Sequence, residues 1–263
     1  MEKKSGALVT VRASSSRLRE KCFQKLTDEL CLLQIVIRRA KRLGCPVVVA
    51  TSVDPSDDGI LKLAEAEDVA CYRGVLKNKI LRWAQCFEEM GFDQGLLVDG
   101  DDPTFDYHVG KRGLEILERG MGNCEVVVAS PDIFPGFFTY GITRGGINKL
   151  ARLAAEPDMD TDVITHFMEK AGLVKSEIPA LKKEIIPHKV RLTIDYEEDV
   201  QFYRNLFKLT NYMTPGPETV ETAVSNGLEK INWHKHEEFL ENQRLFNEKV
   251  SNSLADSSSG VKK

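Results

Sequence analysis

The chain has 263 residues, 42% of them hydrophobic and 29% charged, with 36 Lys and Arg against 40 Asp and Glu. That suits one large α/β domain, or a domain with a small appendage, and is enough for a substantial core. The formal net charge of −4 excludes a global basic field for nucleic acid or a membrane surface, so any anion site must be local.

Short apolar runs alternate with helical patterns along the first half. The runs at 7–11 (ALVTV), 46–50 (PVVVA), 69–72 (VACY), 95–99 (GLLVD) and 125–129 (EVVVA) predict strands covered on both faces, as in a parallel sheet. Between them, Leu33, Val36, Ile37, Ala40 and Leu43 follow a helical period within 28–43, and Gly44 and Pro46 stop it. Segment 57–67 opens on Asp57 and Asp58, suited to a helix N-terminus, and segment 76–90 ends at Gly91. Further on, the sequence predicts helices near 145–155 and 160–170, a strand at 190–194 (VRLTI), a helix at 197–209, and two more at about 218–226 and 234–250. The order predicts a Rossmann-like, doubly wound α/β fold with a mostly parallel mixed sheet over 1–213, a helical extension over 214–250 and a disordered tail over 251–263.

No stretch reaches the roughly 18 apolar residues of a membrane span, and the start lacks the apolar core of a signal peptide. A cytoplasmic protein with no membrane or nucleic-acid partner is the expectation. The six cysteines form no C-x-x-C pair and fall on or beside apolar segments, as buried hydrophobes do. The five histidines lack a zinc-binding spacing, so structural zinc is not expected.

Ligands of such sheets bind beyond the carboxyl ends of the strands, and two loops there carry unusual charge. In the first, Arg12, Ser15, Arg17 and Lys21 supply guanidinium forks, a hydroxyl and an ammonium, the equipment for a triphosphate. A solvated surface loop is the alternative. Neither G-x-G-x-x-G nor a P-loop follows the strand. In the second, Asp99, Asp101 and Asp102 crowd a Gly/Pro turn, and magnesium with nucleotide phosphates fits such carboxylates, an exposed acidic turn being the alternative. Asp195, at the end of the 190–194 run, is a candidate second metal ligand.

Together these stretches resemble the cytidylyltransferases that activate acid sugars as CMP derivatives, such as the acylneuraminate and 3-deoxy-manno-octulosonate enzymes, and most of all the spore-coat polysaccharide branch. Arg12, Ser15, Arg17, Leu18 and Lys21 stand in register with R-x-x-S-x-R-L-P-G-K, and 50–58 with A-T-S-x-D-P-x-D-D. Arg73-Gly74 keeps its spacing to Arg82, GDDP (100–103) resembles G-D-x-P, and IDYEED (194–199) resembles V-D-T-P-E-D. Even the late TPGPETV stretch is similar, so the likeness spans roughly 7–245. Three departures stand out: Arg19-Glu20 replaces Pro-Gly, predicting a less tightly turned loop; Asp99 replaces a residue commonly Thr; and Tyr196-Glu197 replaces Thr-Pro.

The resemblance implies a nucleotidyltransferase-type fold and transfer of CMP from CTP to a small anionic acceptor, with pyrophosphate released, for cell-surface polysaccharide or related biosynthesis. Arg12, Arg17 and Lys21 would neutralise the phosphates, Ser15 would donate a hydrogen bond, and Asp101 and Asp195 would hold Mg²⁺. Ala50, Thr51, Ser52 and Arg73 would read the cytosine, Arg82 would add to the nucleotide site, and Tyr140 and Arg144 would meet the acceptor. A homodimer is expected. The competing readings are a glycosyltransferase using Asp99-x-Asp101 with a nucleotide sugar, and a nucleotide-binding relative without activity.

Overall fold

In the computed structural model, which describes residues 3–14, 17–120, 123–187, 189–245 and 248, the five apolar runs all become strands. They are β1 (Ser5–Thr10), β2 (Val47–Ser52), β3 (Ala70–Gly74), β4 (Gln94–Asp99) and β5 (Val126–Ala129). Two further short strands, β6 (Tyr140–Thr143) and β7 (Lys175–Ile178), complete a seven-stranded sheet in the order β3-β2-β1-β4-β6-β5-β7. Among the described residues only β6 runs antiparallel to its neighbours, β4 and β5; the other pairings are parallel.

Among the described residues the helices are α1 (Leu32–Lys41), α2 (Asp58–Ala66), α3 (Lys79–Met90), α4 (Tyr107–Arg119), α5 (Arg144–Leu153), α6 (Ile164–Lys170), α7 (Glu197–Leu209), α8 (Gly216–Ser225) and α9 over 236–245. The continuous apolar strands make sense once both sheet faces are covered. Ala7, Val9, Leu96 and Val98 pack with α1, α4, α7 and α8, while Leu8, Val48 and Leu97 point the other way onto Trp83 and Phe87 of α3 and Phe167 of α6. This is the doubly wound, mostly parallel mixed sheet that the alternating pattern predicts.

The 190–194 run corrects one expectation. Val190, Arg191, Leu192 and Ile194 are all buried, yet among the described residues the segment joins no ladder. Its one backbone bond to the turn after β4 is Ile194 N–H to the Asp101 carbonyl at 3.1 Å. It thus crosses beneath that turn and delivers Asp195 to it. The helical pattern at 28–43 begins only at Leu32, because 24–31 turn back on themselves through an isolated bridge between Lys25 and Cys31. Positions 246, 247, 249 and 250 of the last expected helix, and the expected disordered tail at 251–263, lie outside the described residues.

The C-terminal segment is fastened by buried polar bonds. Arg39, 1% exposed, donates to the carbonyls of Phe105, Tyr212 and Thr214 at 2.7, 2.7 and 2.9 Å. Asp106 caps α4 and also accepts the Gly216 N–H at 2.7 Å. Among the described residues no helix is long and apolar enough to cross a membrane.

Candidate active site

The direction of winding reverses between β1 and β4, since β2 lies on one side of β1 and β4 on the other. The two charged loops leave from these neighbouring strand ends, where Thr10 faces Asp99 in register. Gly100 lets them meet: its N–H donates to the Thr10 carbonyl at 3.0 Å, and a Cβ there would lie 2.9 Å from the Val11 Cβ. Between the loops opens a cavity of about 460 Å³, within the roughly 300–1,000 Å³ of small-molecule sites.

On one side of the cavity the opening loop meets the carboxylates. Lys21 Nζ lies 2.6 Å from Asp101 Oδ2, 3.5 Å from Asp195 Oδ1 and 3.0 Å from the Ile194 carbonyl. Arg17 makes a close ion pair with Asp195. Behind Asp195, buried Arg191 donates to it at 2.6 Å and to Asp199 at 2.9 Å, and Asn232 donates to Asp199 at 2.9 Å. The Phe239 ring of α9 covers Arg191, with the guanidinium 4.4 Å from its centroid. Burial alone would push Asp195 up, but Lys21, Arg17 and Arg191 together outweigh it and hold the carboxyl below the usual range. Burial likewise disfavours the Lys21 charge, yet Asp101 and Asp195 override it and raise the ammonium above its ordinary value.

Glu20 stands at φ 51°, ψ 34°, the left-handed conformation that suits glycine, and a 3₁₀ turn over Lys21–Phe23 follows. Its exposed side chain makes no cap bond.

Across the cavity stands a second set of charges. Lys79, the first residue of α3, pairs with Asp99 at 2.9 Å. Arg12 donates to Asp162 at 3.0 Å and to the Leu76 carbonyl at 3.0 Å, a carbonyl shared with Arg82 at 3.1 Å. Burial and then the neighbouring Arg12 charge are the main influences lowering the Arg82 guanidinium to about 10, and its Nε has no partner. Between the two sets, oxygens of Asp99, Asp101 and Asp102 come within 4.8 Å of one another. Burial, then the charges of Asp101 and Asp99, push the Asp102 carboxyl well up.

The structure brings together Arg12, Arg17, Lys21, Arg82, Asp101 and Asp195, all on the cavity wall; Ser15 lies outside the described residues. It places other expected site residues elsewhere. Thr51 and Ser52 are fully buried, and their hydroxyls donate to Asp57 at 2.9 and 2.5 Å, while Asp57 also accepts the Ala13 N–H at 2.7 Å. They brace the opening loop from behind, and Ala50 is core. Arg73 is spent on the Ser52 and Asp54 carbonyls at 2.9 Å each and on Asp58 at 2.8 Å. Arg144 starts α5 at the opposite end of the sheet, where it donates to the Phe92 carbonyl at 2.6 Å and pairs with Asp93. Tyr140, paired with Leu97, stands near Asp99.

Sequence reasoning missed Lys79, Asp162, Arg191 and Asp57. Only Asp57 left a usable signal, since it falls within the 50–58 stretch that matches A-T-S-x-D-P-x-D-D. The described cysteines are unpaired, and burial pushes the Cys22 and Cys86 thiols up to about 12, which makes them poor nucleophiles.

A hard divalent cation suits this donor set, because Asp101 and Asp195 offer oxygens to one shared point, the Lys21 ammonium.

No protein-family model matches the chain. An uncharacterized protein of Methanocaldococcus jannaschii is 25% identical over 203 residues, 76% of this chain and 82% of that protein. A cytidylyltransferase from Leptospira borgpetersenii has a TM-score of 0.76 at 21% identity, covering 86% of this chain and 97% of that one. A CMP:2-keto-3-deoxy-manno-octonic acid synthetase complexed with CTP has a TM-score of 0.59 at 16% identity, covering 78% and 98%. The chain therefore has the α/β fold of the nucleotidyltransferases, as the sequence resemblance implied.

Proposed function

We propose that the chain is a cytidylyltransferase that transfers CMP from CTP to a small anionic acceptor. One observation carries this reading: the cationic opening loop converges, through Lys21 and Arg17, on Asp101 and Asp195 at the β1/β4 crevice. A loop that only decorated the surface has no reason to meet two carboxylates from distant segments.

In the reaction an acceptor oxygen bonds to the α-phosphorus of CTP, and the bond from that phosphorus to the bridging oxygen breaks. Pyrophosphate leaves with the electron pair. Arg17 and Lys21 neutralise charge on the leaving phosphates, and Arg12 and Arg82 add cationic groups across the cavity. Such catalysis is positioning plus electrostatics and needs no protein nucleophile. Asp101 and Asp195 would hold a divalent cation, which when bound supplies Lewis-acid stabilisation of phosphate oxygens. Tyr140, near Asp99 and Lys79, stays a candidate acceptor contact.

The acceptor class rests on the resemblance to the acid-sugar enzymes, as do a role in cell-surface polysaccharide synthesis and the homodimer, while the division into an α/β domain with a helical extension rests on the order of elements along the sequence. Incubating the protein with CTP, Mg²⁺ and a panel of sugar acids and phosphorylated or phosphonylated acceptors tests the reading. Acceptor-dependent pyrophosphate release with a CMP adduct by mass spectrometry is expected; consumption of a UDP-sugar without pyrophosphate would move the assignment to a glycosyltransferase. The proximity of Asp99 to Asp101 supports that alternative, but a basic loop equipped for a triphosphate has little use in an enzyme that consumes a nucleotide sugar.

A further inference from the structure

Lys79 and Asp99 are each charged and together neutral. The ammonium lies 2.9 Å from Asp99 Oδ1 and 5.1 Å from the centroid of the Trp83 ring. That ring is fixed: Trp83 is 1% exposed and donates its indole N–H to Thr10 at 3.1 Å. Asp99 is anchored too, its backbone N–H donating to Thr139 at 3.3 Å. Both side chains line the cavity and keep 20% and 29% of their surface.

Asp99 and Lys79 answer one another's charge through one oxygen and one proton. What the pair keeps is hydrogen-bonding capacity. Asp99 has lone pairs beyond the one Lys79 takes, and the ammonium has donors beyond the one Asp99 takes. A strong acceptor beside a strong donor suits hydroxyl groups, which both give and accept hydrogen bonds, and the two oxygens of a carboxylate suit two adjacent hydroxyls. The location narrows the choice. Asp99 lies two residues before Asp101, on which Lys21 of the phosphate loop rests, and the ribose of a nucleotide is tethered to its α-phosphate by a single methylene bridge.

We propose that Asp99, oriented by Lys79, reads the vicinal diol of the nucleotide's ribose and makes the site selective for ribonucleotides over deoxyribonucleotides. This rests on the nucleotidyltransferase reading. Calorimetric titration of CTP, 2′-deoxy-CTP and 3′-deoxy-CTP into the full chain with Mg²⁺ tests it, on the native protein, on Asp99→Asn, and on the double variant Lys79→Met/Asp99→Thr, which leaves no charge unpaired. The native chain is expected to bind CTP about tenfold to a hundredfold more tightly than either deoxy form, the worth of one or two charge-assisted hydrogen bonds. Asp99→Asn narrows that ratio and the double variant abolishes it, with the deoxy forms, which keep one hydroxyl each, losing less affinity than CTP. Equal binding of all three by the native chain overturns the inference alone, and is also the outcome if the hydroxyls read belong to the acceptor. An Asp99→Asn loss shared equally by all three overturns it as well. No binding of any of them overturns the nucleotidyltransferase reading together with it.

Discussion

The Lys21 ammonium rests 2.6 Å from the Asp101 carboxylate, although the two residues come from different loops that leave neighbouring strands. Each charge holds the other in the cavity until a ligand offers better partners: a cation for the carboxylates, phosphates for the ammonium. Lys21→Ala should therefore cut turnover by on the order of 10²-fold or more, the loss seen when one preorganised charge-stabilising group is removed. It should change the fold little, since the side chain belongs to the cavity wall. Steady-state pyrophosphate release, with circular dichroism as the folding control, checks it; near-native turnover would remove Lys21 from the phosphate site.

Asp195→Asn should cost both activity and stability. Three cations face this carboxylate, and Arg191 behind it is 5% exposed. Breaking the buried pair should destabilise by on the order of 3 kcal/mol, with Asp199 limiting the loss by keeping its own hold on Arg191. The pH dependence has a definite sign. A carboxyl held below its ordinary value contributes stability that is present above about pH 4 and lost as pH falls through the depressed folded value. Acid unfolding curves of the native chain and Asp195→Asn should therefore converge below about pH 4. A constant gap down to pH 2 would mean the carboxylate is not the stabilising form.

The five apolar strands, and the loops between which the cavity opens, were legible because burial on both faces leaves a continuous apolar run and a strand end is where charge can surface. α4 was not legible. Gly110 and Gly113 weaken its helical signal, and they are there because a Cβ at either would fall 2.7 Å from Leu43 or 2.9 Å from Phe138. β7 reads as the polar run KSEI, with only Ile178 buried. The 190–194 run misled because its burial is real while, among the described residues, its ladder partner is absent. Lys79 could not be found because its partner is set by the fold, 20 residues along the chain. Thr51 and Ser52 matched a family pattern whose role in this chain is to hold Asp57.

Glu20→Gly should stabilise the protein. A left-handed non-glycine residue costs about 1–2 kcal/mol, and glycine gives back part of that through unfolded-chain entropy, for a net gain of up to about 1 kcal/mol. In a chain of this size that is a rise in Tm of about 2 °C. Differential scanning calorimetry would show it. A lowered Tm would mean that the Glu20 side chain supports the loop.

Asp57→Asn should weaken the site from behind. Asp57 accepts from Ala13 N–H, Thr51 Oγ1, Ser52 N–H and Ser52 Oγ, all at 2.5–3.0 Å. An amide nitrogen in place of one carboxylate oxygen faces at least one N–H or hydroxyl with no acceptor, at a cost of about 2 kcal/mol. Because Ala13 sits in the loop that carries Arg12 and Arg17, turnover should fall with it. Urea denaturation and pyrophosphate release on the same preparation check the pairing of the two losses; lost stability with native turnover would separate Asp57 from the loop's positioning.

Asp102→Asn should do the reverse of Asp195→Asn. Asp102 is 9% exposed, its Oδ1 has no hydrogen-bond partner, and burial together with Asp101 and Asp99 holds its carboxyl far above the ordinary value. A raised carboxyl binds its proton more tightly when folded than when unfolded. Stability linked to it is therefore greatest below about pH 4 and declines as pH rises from there towards the folded value. An asparagine carries no proton to lose, so the variant should match the native chain near pH 4 and surpass it at neutral pH, with a flatter profile between. Urea unfolding free energies measured every half unit from pH 4 to pH 8, in the presence of a chelator so that no divalent cation binds the carboxylates, would trace the two curves. A variant less stable than the native chain at neutral pH would show that Asp102 is held there as a charged, satisfied carboxylate, against the burial and repulsion that surround it.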